Sequence, residues 1–339
     1  MSTDIGIDLG TYKTIVYIKS RGIIFNEPSV IAYNVKTKDV IAVGKEAYEM
    51  IGKTPPYIKT VRPILNGVIA DYDFAEKMMA SILKKNCYLK IFKPRIAICV
   101  PSIVTTVEKN AIVDAAINIG ARIVYIIDEP IAAAIGEGID ISKPKGRLVV
   151  DIGGGSTDIA LISLNGIVAK NSIRVAGDDF DEAIIKKVKD LYNLDIGFNM
   201  ARKIKEQIGT VLLENKNCEL FIEAKGKDYI TGLPKKQNVF ARDFIDVFDV
   251  IASQIIKAIK KVVEKTPPDL LGDVQSGYLL MTGGGSKLKG LRERVEKDIK
   301  LKTLLPSNAV EAVAIGTGNC FELIKEIDDG LIEQNVYKR

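Results

Sequence analysis

Short apolar runs separated by polar turns fill the first part of the chain. Runs of this kind, closed by glycine, proline or charged residues, predict β-strands. The first of them lie close enough together to predict an antiparallel meander, with strands at residues 5–8, 15–18, 22–25 and 30–33. Later runs end in proline or glycine and lead into helical patterns, which predicts strands joined by crossover helices. These later strands are expected at residues 96–100, 123–127 and 278–281.

Longer segments carry apolar residues at helical spacing. In residues 178–191, Phe180, Ile184 and Val188 recur at every fourth position and predict one buried helix face. Amphipathic helices are predicted at residues 74–85, 107–120, 178–191, 199–211 and 241–265. Strands that alternate with helices predict an α/β fold, with mixed sheets flanked by helices on both faces.

Two glycine-containing turns repeat one pattern in the two halves of the chain. Residues 7–14 read Ile-Asp-Leu-Gly-Thr-Tyr-Lys-Thr, and residues 150–158 read Val-Asp-Ile-Gly-Gly-Gly-Ser-Thr-Asp. Backbone N–H groups in such turns can bind phosphate, because glycine lets the backbone approach the ligand closely. Two matching turns in a duplicated chain predict that a phosphate chain is held from both sides.

A second motif is also repeated. The string Ala-x-Ala-Ile-Gly ends residues 129–136 and again ends residues 310–316, each time after a predicted strand. Small residues on one helix face allow close packing, and a helix N-terminus near a cleft favours an anion. An Ala-rich core helix explains either segment alone, whereas the pair favours two related halves.

The two halves also carry one loop-rich excursion each, so we expect two related domains with a cleft between them. The predicted first domain is residues 1–33, 72–143 and 318–339 with insertion 34–71, and the second is residues 144–190 and 241–317 with insertion 191–240.

Composition restricts the chemistry. The 339 residues are 47% hydrophobic and 27% charged, which is typical of a soluble globular protein. The absence of histidine excludes Ser-His-Asp and Cys-His catalysis, and the four cysteines show no paired metal-ligand spacing. A net charge of +5 does not indicate a nucleic-acid partner. Neither a signal peptide nor an apolar run of about 20 residues is found, so a cytoplasmic protein is expected.

Together these motifs resemble the actin, Hsp70 and sugar-kinase superfamily, whose nucleotide site has two phosphate loops, two connecting helices and an adenosine loop. Strings outside that site resemble the MreB family of bacterial actin homologues over essentially the whole chain. Examples are Asn-Glu-Pro-Ser-Val at 26–30, Gly-Val-Ile-Ala-Asp-Tyr at 67–72 and Glu-Lys-Thr-Pro-Pro at 264–268. The resemblance implies an actin-like (ribonuclease H-like) duplicated two-domain fold with a nucleotide cleft between the halves.

The resemblance further implies ATP or ADP with Mg²⁺ as ligands, slow ATP hydrolysis, and head-to-tail filaments, single or paired, that act in cell shape. The implied nucleotide-binding residues belong to the two turns, the adenosine loop and its neighbours: Gly10, Thr11, Tyr12, Lys13, Gly153, Gly154, Gly155, Ser156, Thr157, Gly177, Asp178, Lys205, Glu206, Gly283, Gly284 and Gly285. Asp8 and Asp151 suit Mg²⁺ held through its waters, and Asp151 can also orient a water molecule.

Glu129 matches the family residue that positions the attacking water, because phosphoryl transfer to water needs mainly positioning and charge neutralisation. Each role has a structural alternative. Glu129 is also a favourable residue at a helix N-terminus, Asp178 can be the N-cap of its helix, and Lys13 can be an exposed turn lysine instead of a phosphate contact.

The second turn departs from the family at Ser156 and Asp158, where MreB relatives commonly have threonine and glutamate. These two departures leave the rates of ATP hydrolysis and phosphate release open. A filament protein that binds ATP but scarcely hydrolyses it is therefore the first alternative. A chaperone ATPase of the Hsp70 type is the second alternative, although the chain is expected to lack room for a peptide-binding domain. A small-molecule kinase, whose ATP turnover a sugar or acid would accelerate, is the third.

Ile91 and Phe92 stand among lysines, at a place where family members use a loop to contact the bilayer. Burial of each apolar side chain offers about 1.5–3 kcal/mol, and each nearby lysine adds about 1 kcal/mol on anionic lipid. Alternatively, the two residues cover the edge of the core. The resemblance thus implies a peripheral position at the inner face of the cell membrane, with morphogenesis proteins as further partners.

Overall fold

The computed structural model describes residues 3–86, 93–212 and 219–324, together with the backbone of a last strand at 332–335. Its strands are β1 (Asp4–Leu9), β2 (Lys13–Ile18), β3 (Gly22–Pro28), β4 (Ile31–Asn34), β5 (Val40–Val43), β6 (Ile58–Val61), β7 (Ile64–Leu65), β8 (Val68–Ile69), β9 (Arg95–Val100), β10 (Ile123–Asp128), β11 (Arg147–Ile152), β12 (Thr157–Ser163), β13 (Gly166–Ile173), β14 (Leu194–Asp195), β15 (Phe221–Asp228), β16 (Pro234–Phe240), β17 (Leu279–Thr282), β18 (Thr303–Leu304) and β19 (Ile332–Asn335). Its α-helices are α1 (Lys45–Glu49), α2 (Tyr72–Asn86), α3 (Thr106–Asn118), α4 (Glu129–Gly136), α5 (Gly177–Tyr192), α6 (Phe198–Ile208), α7 (Ile245–Glu264), α8 (Pro268–Ser276), α9 (Leu291–Ile299) and α10 (Ala312–Asn319).

Two mixed sheets carry the fold, and they share one plan. The first has the strand order β19-β10-β9-β1-β2-β3, and the second has the order β13-β12-β11-β17-β18. Each contains an antiparallel meander, β1-β2-β3 or β11-β12-β13, which continues through parallel strands, β9 and β10 or β17 and β18. This correspondence agrees with the duplication that the repeated motifs predict.

The two copies of Ala-x-Ala-Ile-Gly pack against each other, on helices α4 and α10. A Cβ added to Gly136 would collide with the carbonyl oxygen of Ala312, and one added to Gly316 would collide with that of Ala132. Glycine is needed at both positions because the two backbones are in direct contact. The small residues of the repeat thus join the two halves of the chain beneath the cleft.

The fourth predicted strand does not continue the first meander. Strand β4 pairs instead with β5 and β6 in a separate three-stranded sheet within the first insertion. The chain turns out of the first sheet at Ser29, whose N–H donates to the Tyr12 carbonyl and whose hydroxyl donates to the Gly10 carbonyl. Val30 and Ala32 then bury their side chains against α1. The second insertion forms another three-stranded sheet, β14-β15-β16.

Several helix bounds differ from the predicted ones. Helix α6 ends at Ile208, because Gly209 is extended and Thr210 forms a bridge to Lys289. The helix predicted at 241–265 begins as a 3₁₀ turn and becomes α7. Helix α8 has no counterpart among the predicted helices. Pro268 occupies its first turn, where the missing N–H has no helical partner to lose.

Some predicted domain boundaries fall inside single elements. The boundaries after residues 33, 190 and 317 lie within β4, α5 and α10, respectively. We propose that the domain limits follow the ends of these elements instead. Among the described residues, no helix combines the length and the apolar character that a membrane crossing requires. Ile91 and Phe92 lie outside the described residues.

Candidate functional site

A cavity of about 370 Å³ lies where the ends of the two meanders face each other. Most of the predicted site residues line it: Asp8, Gly10, Thr11, Tyr12, Lys13, Glu129, Asp151, Gly153, Gly154, Gly155, Ser156, Gly177, Lys205, Glu206, Gly283, Gly284 and Gly285. The structure therefore gathers residues from both turns, from the starts of α4 and α5, from α6 and from the loop after β17.

The two glycine turns have the same closure. The N–H of Gly10 donates to the Lys13 carbonyl at 3.1 Å, and the N–H of Gly153 donates to the Ser156 carbonyl at 2.9 Å. The turns also approach each other closely, since a Cβ added to Gly155 would lie 2.7 Å from the Thr11 hydroxyl. The two turns thus face one space from opposite sides, which suits a chain of phosphates.

Three carboxylates share the cavity, namely Asp8 at the end of β1, Asp151 at the end of β11 and Glu129 at the start of α4. Burial, followed by repulsion from Asp151, raises the pKa of Asp8 to about 7. Burial raises the pKa of Asp151 to about 6, although the Thr282 hydroxyl donates to its Oδ1 at 2.6 Å. Burial and then the neighbouring carboxylates raise the pKa of Glu129 well above its ordinary value. The negative charges are therefore close together and poorly compensated by the protein.

The donor atoms at this point fit Mg²⁺. Ligand atoms of Asp8, Cys99 and Glu129 lie within 4.8 Å of one another. Burial raises the pKa of the Cys99 thiol well above its ordinary value, so the thiol stays protonated and is a poor ligand. The remaining donors are carboxylate oxygens, which Mg²⁺ prefers and of which it needs few.

The start of α5 forms another wall of the cavity. The N–H groups of Gly177 and Asp178 donate to the carbonyls of Gly153 and Gly154 at 3.2 and 2.8 Å, which fastens the helix to the second turn. Lys205 Nζ on α6 donates to the Gly177 carbonyl at 2.5 Å. The exposed Glu206 follows at the cavity mouth, where it can accept hydrogen bonds from ribose hydroxyls.

The loop after β17 closes the opposite wall. Gly283 has a φ of +83°, and a Cβ there would collide with the carbonyl oxygen of Ile152. Both observations require glycine at this position. The loop therefore packs directly on the end of β11, beside the second turn.

Two predicted residues do not line the cavity. Thr157 is fully buried, and its hydroxyl donates to the Val175 carbonyl at 2.7 Å. Asp178 pairs with Arg202 at 2.6 Å. Asp178 is also not the N-cap of α5, because Ala176 takes that place and donates its N–H to the Asp179 carboxylate.

The environment of Lys13 is intermediate between its two predicted alternatives, an exposed turn lysine and a phosphate contact. It is half-buried and lines the cavity, and its Nζ donates to Asn26 Oδ1 at 3.2 Å. The side chain is thus held at the cavity by a neighbour on β3.

Sequence reasoning missed several residues that line the cavity: Ile15, Gly67, Phe180, Arg202, Lys287, Leu288, Lys289, Val310 and Val313. Arg202 had a usable signal, because it precedes Lys205 by three positions and so shares its helix face. Gly67 had none, since its role is a tertiary contact in which its N–H donates to the Thr11 hydroxyl at 2.8 Å.

Comparison with known proteins agrees with this fold. A profile of the MreB/Mbl protein family matches residues 2–329. The cell shape-determining protein Mbl of Bacillus subtilis (strain 168) is 42% identical over 316 residues, which cover 93% of this chain and 94% of that protein. The cell shape-determining protein MreB of Escherichia coli (strain K12) is 38% identical over 330 residues, which cover 95% and 94%.

A solved structure extends the similarity to three dimensions. The crystal structure of MreB5 of Spiroplasma citri bound to AMPPNP has a TM-score of 0.90 at 35% identity, with 96% of this chain and 98% of that chain covered. Sequence and structure therefore place this chain in the MreB/Mbl family, with an actin-like two-domain fold.

Proposed function

We propose that this chain binds ATP or ADP with Mg²⁺ in the cavity and assembles into actin-like cytoskeletal filaments that act in cell shape, with slow ATP hydrolysis. The observation that carries the proposal is the meeting of two glycine turns, one from each half, around Asp8, Glu129 and Asp151. MreB5 of Spiroplasma citri, at 35–36% identity, is described bound to AMPPNP and bound to ADP. The related Mbl and MreB proteins are named for cell shape determination.

The size and charge of the cavity suit a nucleotide. Its volume of about 370 Å³ lies within the range of small-molecule sites, roughly 300–1,000 Å³. The turns supply backbone N–H groups, and the N-terminus of the 16-residue helix α5 adds a positive dipole end beside the second turn. Three lysines that line the cavity can balance the phosphate charge: Lys13, Lys287 and Lys289. Arg202 and Lys205 also line it but are paired with Asp178 and Asp181.

The three carboxylates have two different roles in the proposed hydrolysis. Asp8 and Asp151, one from each half, would hold Mg²⁺ through its waters, and the bound ion would neutralise charge on the phosphate oxygens. Glu129 is 8% exposed and begins α4, so its carboxylate has a fixed place at the cavity wall. There it accepts a hydrogen bond from the attacking water and orients it.

Self-association has support from exposed apolar residues on both insertions. The turn between β15 and β16 presents Ile230, which is 75% exposed, beside Tyr229 and Leu233. The first insertion presents Ile41 and Tyr57. Head-to-tail filaments need two different surfaces that do not close into a ring. We infer that the insertions supply these contacts between copies of the chain.

The proposed position at the inner face of the membrane rests on Ile91 and Phe92, which lie outside the described residues. Its test is sedimentation with anionic and neutral vesicles. Replacement of both residues by serine is expected to abolish vesicle binding of filaments, while filament formation persists. Vesicle binding equal to that of the wild type would contradict the membrane role.

The central experiment measures nucleotide uptake, phosphate release and sedimentation for the wild type and for Glu129→Ala. We expect the variant to bind ATP with Mg²⁺ and to sediment, but to release phosphate about 100-fold more slowly, because a positioned acid–base group contributes at least that much. Glu264→Ala, an exposed change at the end of α7, is the matched control and should behave as the wild type. Equal phosphate release by Glu129→Ala would contradict its role, and a wild type without nucleotide uptake would contradict the whole proposal.

A second candidate is a filament protein that binds ATP with little hydrolysis. It is favoured by Asp158, whose carboxylate is fully buried and accepts a hydrogen bond from the Ser102 N–H at 2.7 Å. This bond ties the second turn to the loop after β9 and would resist movements that release phosphate. Wild-type filaments that sediment with ATP but release no phosphate would support this candidate. Turnover accelerated by a sugar or acid would instead indicate a kinase.

A further inference from the structure

A cluster of cationic and aromatic side chains adjoins the cavity, which two of its members, Tyr12 and Arg202, line. Tyr12 comes from the first glycine turn, while Tyr48 and Arg62 come from the first insertion. Phe198 and Arg202 come from α6, which belongs to the other half of the chain. We call these five residues the cleft cluster. It brings together the first glycine turn, the first insertion and α6.

Within the cleft cluster, Arg202 lies on Tyr12. Its guanidinium carbon is 3.4 Å from the centre of the Tyr12 ring. The guanidinium also donates to Asp181 at 3.0 and 2.8 Å and to Asp178 at 2.6 Å, and its side chain is only 6% exposed. Because two carboxylates fix the plane of the guanidinium, its flat face is held against the ring.

Arg62 repeats this contact from the other side of the cleft. Its guanidinium carbon is 4.4 Å from the centre of the Phe198 ring and 6.0 Å from that of Tyr12. Phe198 also lies 5.1 Å from Arg202, so one ring contacts two cations from different halves. Tyr48 meets Tyr12 edge to face at 6.4 Å. The cluster thus connects the first insertion to α6.

We propose that the cleft cluster is a latch that controls nucleotide release, an inference that rests on the proposed nucleotide binding. Arg62 and Phe198 fasten the first insertion to α6, and Arg202 acts as a positioning residue that holds the first glycine turn through Tyr12. The two glycine turns belong to different halves, so the site opens when the halves separate. That separation breaks the contacts of Arg62 with Phe198 and of Arg202 with Tyr12.

The test follows the dissociation and association rates of a fluorescent ATP analogue with Mg²⁺. Phe198→Ala removes the ring between the two arginines and leaves the buried Arg202–Asp181 pair intact. We expect its dissociation rate to rise about tenfold, and that of Arg62→Ala to rise about threefold, in keeping with cation–π pairs of this burial. Association should stay within about twofold, and Phe198→Tyr should restore slow dissociation, because the latch acts on opening.

Arg242→Ala is the matched control. Arg242 lies 4.4 Å from the centre of the Phe240 ring, the same distance as Arg62 from Phe198, but both residues of this pair belong to the same half of the chain. Its loss should leave nucleotide dissociation unchanged. Dissociation of Phe198→Ala within about twofold of the wild-type rate, or equal acceleration by Arg242→Ala, would overturn the latch.

A second measurement needs no nucleotide and separates the latch from the proposed function. Backbone hydrogen exchange in nucleotide-free protein should be at least about threefold faster at residues 58–62 in Phe198→Ala than in the wild type. Equal exchange contradicts the latch, whatever the nucleotide affinity. Failure of the wild type to take up nucleotide contradicts the proposed function and is visible in the same preparation.

Discussion

The two glycine turns have the same backbone closure, but different contacts hold them in place. The first turn depends on side chains as well as on its carbonyls: the Thr11 hydroxyl accepts a hydrogen bond from the Gly67 N–H and the Tyr12 ring packs on Arg202, beside the hydrogen bonds that Ser29 donates to the turn. The second turn is joined to the adjacent helix by backbone contacts, beside the hydrogen bond from the Ser102 N–H to Asp158. Gly153 and Gly154 accept hydrogen bonds from the start of α5.

The difference shows in what each turn can tolerate. A Cβ at Gly155 would lie 2.6 Å from the Cα of Asn66 and 2.7 Å from the Thr11 hydroxyl, so backbone stands where a side chain would go. The first turn exposes larger side chains to the cavity, and these can be changed one at a time. The two copies of one motif can therefore differ in their sensitivity to mutation.

The largest effect is expected for Gly155→Ala. Because the methyl group would meet the backbone of Asn66, between β7 and β8, and the Thr11 hydroxyl of the first turn, the second turn must move away from both, and overpacking of this kind costs about 1–3 kcal/mol. We expect ATP affinity to fall by about 10- to 100-fold in calorimetric titrations. Gly197→Ala, where a Cβ meets no atom within 4 Å, is the control. Unchanged affinity of Gly155→Ala would show that the turns do not bind the nucleotide together.

Removal of Mg²⁺ should have the next largest effect, because Asp8 and Asp151 bring one carboxylate from each half to the phosphates. Chelation is expected to lower ATP affinity about tenfold, since the negative charges then repel without a cation between them. Added Mg²⁺ should restore binding. Asp8→Asn and Asp151→Asn should each weaken the response to Mg²⁺. An affinity that does not change on chelation would contradict the assignment of both residues.

Thr11→Val tests the side-chain support of the first turn. The change keeps the shape of Thr11 but leaves the Gly67 N–H without its acceptor, which costs about 1–3 kcal/mol in a buried place. Urea unfolding should show a loss of that size in the free energy of unfolding. Thr11→Ser retains the hydroxyl and should lose less. If Thr11→Ser is destabilising while Thr11→Val is not, packing of the methyl group matters and the hydrogen bond does not.

The smallest effect is expected for Lys13→Asn. A lysine beside the phosphates should contribute a modest, salt-dependent share of binding, so ATP affinity should fall by about two- to fivefold at low salt and less at high salt. Lys19→Asn, an exposed change at the end of the same hairpin, is the control. A salt dependence equal to that of the wild type would assign Lys13 to its hydrogen bond with Asn26 alone.

The local elements of this site were predictable, but several of their contacts were not. The apolar runs around the first turn predicted β1 and β2, because a strand needs only its own side-chain pattern and a turn at its end. Strand β4 satisfied the same pattern and still left the meander, since its choice of partner depends on the turn at Ser29. Pro268 likewise fits both a helix end and a helix start.

Arg202 and Gly67 show why part of the site was not predicted from the sequence. Arg202 contacts Tyr12, which lies 190 positions earlier in the chain, and Gly67 contacts Thr11, which lies 56 positions earlier. The helix face that Arg202 shares with Lys205 indicates the cavity, but no local pattern indicates that Arg202 meets Tyr12 or that Gly67 meets Thr11. Thr157 shows the reverse case, because it stands inside the glycine motif and yet turns its hydroxyl away from the cavity, to Val175.

By itself, the sequence determined the duplicated plan, the two glycine turns and the acidic residues at their entries, because these depend on spacing and backbone freedom within a few residues. The tertiary structure alone decided that the halves meet through α4 and α10, that the two turns share one cavity, and that Arg62 and Phe198 connect the insertion to α6. Such contacts depend on the packing of distant segments, which no local pattern in the chain specifies.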